Sequence, residues 1–223
     1  MTVLLKFISK NDPMREKIPS DCLGTTELMN LFPGSPNRRH QMVKRALAQG
    51  DLIHLRRGLY CLGERHRTGP INLFSIAQKI YGPSAVSLES ALSYHGWIPE
   101  AVYTTTSVSA QRSREFKTPL GIFSYRKIPI SALYTAVDII SSGSNVFFMA
   151  RPWKAIADYV FVYKKDWITL DPLRESLRID AMLLKDSDLV ELKEIEAAYA
   201  SRRVSRFFKG VLRELTENIK RTL

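Results

Sequence analysis

The sequence predicts an α+β protein in two parts, and three observations carry the prediction. Residues 1–67 read as helix, turn, helix and hairpin; the chain changes to alternating, threonine-rich patterning after Pro99; and its last third returns to helical periodicity. The order in the first part is that of a winged helix-turn-helix. A mixed α/β domain with C-terminal helices follows over 68–223, and 223 residues at 25.4 kDa suit two small units better than one minimal domain.

In the first part, Thr25 or Thr26 is placed to cap a short helix over 27–31, which Pro33 and Gly34 end. Ser35 followed by Pro36 is an N-cap and first-turn pair that opens a second helix running to about Gln49, with Gly50 as its C-cap. Val43, Ala46 and Leu47 fall at helical spacing on the inward side, leaving Arg38, Arg39, Gln41, Lys44 and Arg45 outside. Two short strands follow, Leu52 to Leu55 and Leu59 to Cys61 in outline, joined by a tight turn carrying Arg56, Arg57 and Gly58. The polar stretch 63–70, with glycine at both ends of its core and Pro70 after it, reads as a linker. Beyond it, helices are expected over 71–81 and 87–95, strands over 102–108, 121–128 and 145–149, and helices over 153–163, 189–200 and 201–219.

Charge narrows the function. Lys and Arg number 33 against 22 Asp and Glu, a net +11, and a pI near 9.7 points to a polyanionic partner, nucleic acid before membrane. Residues 1–67 hold 12 basic and 6 acidic side chains, the densest excess in the chain. No apolar run approaches the roughly 18 residues of a membrane span, and residues 1–10 lack the basic and apolar regions of a signal peptide, so a cytoplasmic location and no membrane partner are expected. Two cysteines, Cys22 and Cys61, make neither a disulfide framework nor a metal motif, and both read as thiols.

The basic helix and its hairpin are the strongest motif. Phosphates of a duplex demand several cations on one surface, and the first turns of a helix in the major groove read bases, where Arg forks onto guanine and Asn or Gln onto adenine. Asn37, Arg38 and Gln41 suit base reading. Lys44 and Arg45 suit phosphate, and the hairpin's Arg56 and Arg57 suit the adjacent backbone or the minor groove; Thr26, Ser35 and Arg39 complete the expected DNA-binding set. A second basic surface is expected on the last helix, where Arg202, Arg206, Lys209 and Arg213 oppose the apolar stripe Val204, Phe207, Phe208, Val211 and Leu215. Catalytic signals are poor. Ser124 and Lys127 form an SxxK inside a strand-like segment, where a serine nucleophile of that type needs a helix start. Phosphate-loop and dinucleotide motifs are absent, His40, His54, His66 and His95 are scattered, and Asp138 and Asp158 have no local metal pattern. No enzyme activity, cofactor or metal is expected.

Four segments together resemble a known family. The stretch Leu55, Arg56, Arg57, Gly58, Leu59, Tyr60 behind the capped basic helix is similar to the winged-helix start of abortive-infection antitoxins of the AbiEi type. Ser87, Leu88, Glu89, Ser90, Ala91, Leu92, with Ser93, Tyr94, His95 and Gly96 after it, resembles that family's SLESAL stretch. Thr104 to Lys127, with Thr118, Leu120, Gly121, Phe123, Tyr125 and Arg126, resembles the strand segment that follows it. Residues 150–158 resemble a short family motif, keeping Pro152, Lys154, Ala155 and Asp158 but placing Trp153 where an acidic residue is usual. The resemblance covers roughly residues 25–165. It implies a transcription regulator of a bacterial toxin–antitoxin system in antiviral defence, which represses its own operon at inverted repeats in double-stranded DNA. It also implies neutralisation of a nucleotidyltransferase-like toxin, commonly without a stable complex. The alternative open from the residues is an interaction adaptor that binds an acidic partner or the toxin directly, with no sequence-specific DNA role.

Overall fold

The computed structural model describes residues 21–222 apart from Pro33, Thr68, Ser144 and Asp186. The helix stop expected at Pro33 and the Thr68 position of the 63–70 stretch lie outside the described residues. The fold is mixed α+β, with N-terminal helices, then sheets, then C-terminal helices.

Strand β1 (Cys22–Gly24) runs straight into α1 (Thr25–Leu31), and α2 (Pro36–Ala48), β2 (Leu52–Arg56) and β3 (Leu59–Leu62) follow. The three strands form one antiparallel sheet in the order β1-β3-β2. Gly24, the last strand residue, is the N-cap of α1, so neither Thr25 nor Thr26 caps it: both are already inside the helix. A small core of Leu23, Leu28, Phe32, Val43, Ala46, Leu52 and Leu62 seats both helices on the sheet.

The second sheet has six strands: β4 (Ser84–Val86), β5 (Thr104–Ser109), β6 (Arg114–Thr118), β7 (Gly121–Lys127), β8 (Val137–Ser142) and β9 (Asn145–Ala150), in the order β6-β7-β5-β4-β9-β8. The β5–β7 and β4–β9 pairs are parallel and the others antiparallel. Helix α3 (Leu73–Ile80) precedes β4 and α4 (Leu88–Tyr94) lies between β4 and β5, while α5 (Pro152–Val162), α6 (Asp171–Glu175), α7 (Ala181–Lys185), α8 (Leu189–Tyr199) and α9 (Arg202–Thr222) follow β9. The main core joins α4, α5, α8 and α9 to β4 and β9 through residues such as Val86, Leu92, Met149, Ile156, Ile195 and Phe208. Gly210 lets α9 press onto the preceding loop, since a Cβ there would stand 1.8 Å from the Ile168 carbonyl oxygen. Among the described residues no helix is long and apolar enough to cross a membrane.

Two features of this core explain sequence anomalies. Trp153 is buried: its indole donates to Ser187 Oγ at 2.9 Å and packs edge-on against Trp97 and Phe208. Lys154 and Asp158 are also buried, 2.5 Å apart and one helical turn from each other on α5. Ser87 Oγ donates to Asp158 at 2.6 Å, Lys154 donates to Tyr199 OH at 2.9 Å, and Tyr199 OH donates to the other Asp158 oxygen. A buried charge survives only when paired and hydrogen-bonded. This network supplies both and ties α5 to α8 and to the β4–α4 connection.

The stretch 63–70 differs from the linker expected of it. Residues Glu64–His66 form a short 3₁₀ turn, and His66 Nε2 sits 2.8 Å from the buried Asp51 carboxylate. Gly63 passes so close to the end of α2 that a Cβ would stand 1.9 Å from the Gly50 carbonyl oxygen. A third apolar cluster then joins the sheets: Cys22, Leu55, Leu59 and Cys61 meet Ile76, Ala77 and Ile80 of α3 and Phe123 and Tyr125 of β7. Tyr125 OH donates to the Ala77 carbonyl at 2.5 Å within it.

Candidate nucleic-acid interface

Helix α2 is fixed at both ends. Ser35 Oγ accepts from the Arg38 amide at 3.4 Å with Pro36 in the first turn. At the other end the Gly50 amide donates to Leu47 and the Asp51 amide to Ala46, at 3.2 and 2.9 Å. These are the two bonds of a Schellman ending, which needs a left-handed residue, and Gly50 has φ +71°. Arg65 donates to the Gln49 carbonyl at 2.6 Å, placing a cation at the negative end of the helix. The 64–66 turn therefore clamps the end of α2 through both Arg65 and the His66–Asp51 pair.

At 100° per residue, Asn37, Gln41 and Lys44 share an arc of about 60°, with Arg38 and Arg45 along one edge of it. All five are exposed. Val43 and Ala46 lie opposite and are buried. Arg39 shares their side of the helix: its Nε donates to the Phe32 carbonyl at 3.2 Å and a terminal nitrogen to Gly34 at 3.1 Å. Arg39 thus fastens the α1–α2 connection and stands apart from the outward arc. That signal was present in the sequence, because position 39 repeats with 43 and 46 at helical spacing.

The hairpin turns at Arg57 and Gly58, where Gly58 has φ +74°, and the β2–β3 register shifts between His54 and Arg56. Arg57 is exposed at the tip. Arg56 is exposed too, but its guanidinium reaches back to the Lys79 carbonyl at the end of α3, at 3.4 Å, and to the Arg57 carbonyl. Thr26 is exposed on α1, and Ser35 is spent on its cap.

On α9, Arg202, Lys209 and Arg213 are exposed, whereas Arg206 donates to Asp166 at 2.9 Å alongside Arg203 at 3.2 Å. Val204, Phe207, Phe208, Val211 and Leu215 are all buried, so the apolar stripe is consumed by the core. Of the four basic positions expected on this surface, three face outward without an ion pair to Asp166.

Elsewhere, Ser124 and Lys127 lie on β7. Asp138 pairs with Arg151 at 2.9 Å while Asp158 belongs to the buried network, so the two carboxylates have separate partners. His95 meets the Ala150 carbonyl at 3.0 Å, and His54 packs beside Tyr60. Among the described residues no group of His, Cys, Asp and Glu could hold a metal ion. A cleft of about 530 Å³ opens beside β5 and β7, with Glu89, Arg126 and Tyr163 in its wall. Burial, then the neighbouring Glu89 carboxylate, pushes the Tyr163 phenol up. Sequence reasoning missed this cleft, the Lys154 network and the Arg65–His66 clamp. Comparison of the chain with models of known protein families and with curated protein sequences gives no match.

Proposed function

We propose that the chain is a DNA-binding repressor of the AbiEi antitoxin type, which binds inverted repeats of its own operator through a winged helix-turn-helix and neutralises a nucleotidyltransferase-like toxin. The observation that carries the DNA reading is the two-sided character of α2: Asn37, Gln41 and Lys44 lie together on the outward arc while Val43 and Ala46 seat the helix. Two helices on a three-stranded antiparallel sheet, with an arginine-tipped hairpin, match what a winged helix needs to lay one helix in the major groove and the wing along the backbone. On this reading Asn37, Arg38 and Gln41 read base edges, while Lys44, Arg45 and Arg57 neutralise phosphates. Arg39 and Arg56 hold the module together. The toxin partnership is supported by the motif resemblance in residues 87–96, 118–126 and 150–158.

The test is a gel shift on DNA from upstream of the chain's own gene, at fixed salt, against scrambled competitor. Gln41→Ala should cost about 1–3 kcal/mol of specific binding and leave nonspecific binding intact. Equal affinity of wild type for operator and scrambled DNA would overturn the repressor reading. Co-elution of the neighbouring toxin with the protein, combined with that result, would favour the adaptor.

A further inference from the structure

The two cysteines of the chain face each other. Cys22 on β1 and Cys61 on β3 are direct partners in the antiparallel register, and their side chains are in hydrogen-bond contact. Opposed residues of an antiparallel pair hold their Cα atoms about 4.5–5.5 Å apart, inside the span of about 4.4–6.8 Å that a disulfide bridges. Joining the two sulfurs therefore asks for rotation of side chains and little of the backbone.

The two thiols are not equivalent. Cys61 lies on the central strand and is fully buried, whereas β1 is an edge strand and Cys22 is 9% exposed. The hydrogen bond from Cys61 lowers the Cys22 pKa, with Lys79 adding to it against burial and Asp21. The same contact, with burial, pushes the Cys61 thiol up. Thiolate character and exposure both select the attacking sulfur, and both select Cys22.

We propose that Cys22 and Cys61 form a dithiol oxidation site, in which a peroxide converts the pair to an intramolecular disulfide. The Cys22 thiolate attacks one peroxide oxygen, the O–O bond breaks, and Cys22 becomes a sulfenic acid as hydroxide leaves and is protonated to water. The Cys61 sulfur then attacks the Cys22 sulfur, the S–O bond breaks, and a second water departs with the Cys61 proton. Two thiols have lost two electrons and the peroxide has gained them. In reducing surroundings such a bridge forms only on exposure to oxidant. The loop it closes contains all of α1, α2 and β2, so oxidation fastens the basic helix's module in one piece. This inference stands independently of DNA binding.

The test uses the full chain, reduced and then treated with stoichiometric hydrogen peroxide, unfolded, alkylated and weighed intact. A monomer two hydrogens lighter, carrying no alkyl groups and restored by dithiothreitol, is the expected product. Its Tm should exceed that of the reduced protein, because the closed loop restricts the unfolded chain. In Cys61→Ser, Cys22 should stop at a sulfenic acid that dimedone traps. If that variant does not fold, the wild-type masses decide alone. Full alkylation of both thiols after peroxide, over-oxidation to sulfinic acid, or disulfide-linked dimers as the main product would overturn the proposal.

Discussion

Replacing Lys154 by methionine keeps the length of the side chain and removes its charge. The Asp158 carboxylate then stays buried with only the Ser87 and Tyr199 hydroxyls as donors. Lys154, Asp158 and Ser87 are each 0% exposed and Tyr199 is 2%, so water cannot replace the lost ammonium. Burial pushes the Lys154 pKa down, with the Asp158 carboxylate opposing it. Removing one partner of a buried pair typically costs about 3–5 kcal/mol. At about 2–4 °C per kcal/mol for a chain of this size, Tm should fall by about 6–20 °C. The assay is urea and thermal unfolding of wild type, Lys154→Met, Asp158→Leu and the double variant. The double variant should recover much of the loss, since no uncompensated charge remains. A Lys154→Met protein within about 2 °C of wild type, at most about 1 kcal/mol at the scale just used, would refute the reasoning. So would a double variant whose loss equals the sum of the singles.

Gly63→Ala should unfold or strongly destabilise the N-terminal module, because its Cβ would meet backbone at 1.9 Å and no flexible atom can yield; amide exchange of α2 reports it. Stability should also fall at alkaline pH. Burial raises the phenol pKa values of Tyr125 and Tyr199 above their ordinary 10, so their contribution is complete below pH 10 and is lost as pH climbs towards the folded values. Each costs up to about 1.4 kcal/mol per pH unit in that window, read as a urea midpoint that holds to about pH 10 and drops above it. Tyr125→Phe should reduce that drop, and an unchanged midpoint in wild type would contradict the assignment.

Much of the scaffold of the candidate site was legible because its signals are local. Ser35, Pro36 and Gly50 bracket α2, and the turn at Gly58 declares the hairpin, since caps and turns depend on a few neighbouring residues. What escaped depends on pairs distant in sequence. Asp51 and His66 look like solvated polar residues until they meet. Strand β1 is three residues long and pairs with a strand nearly the whole module away. Strand β6 lies at a sheet edge and is largely exposed, so it shows little alternation. Lys154 and Asp158 did carry a clue: opposite charges four residues apart among Ala155, Ile156 and Ala157 put an ion pair on an otherwise apolar helix. The inward turn of Arg39 was likewise readable from its helical phase with Val43 and Ala46.

The central claim is that the outward arc of α2 meets the phosphates and bases of a duplex, whereas Arg39 serves the fold. Binding to the upstream DNA, measured across a salt series for wild type, Lys44→Ala and Arg39→Ala, tests it most directly. Lys44→Ala should lower the slope of log affinity against log salt by about 1, one counterion's worth. Arg39→Ala should keep the wild-type slope and lower Tm instead. A Lys44→Ala slope indistinguishable from wild type, with Arg39→Ala losing a phosphate contact in its place, would contradict it.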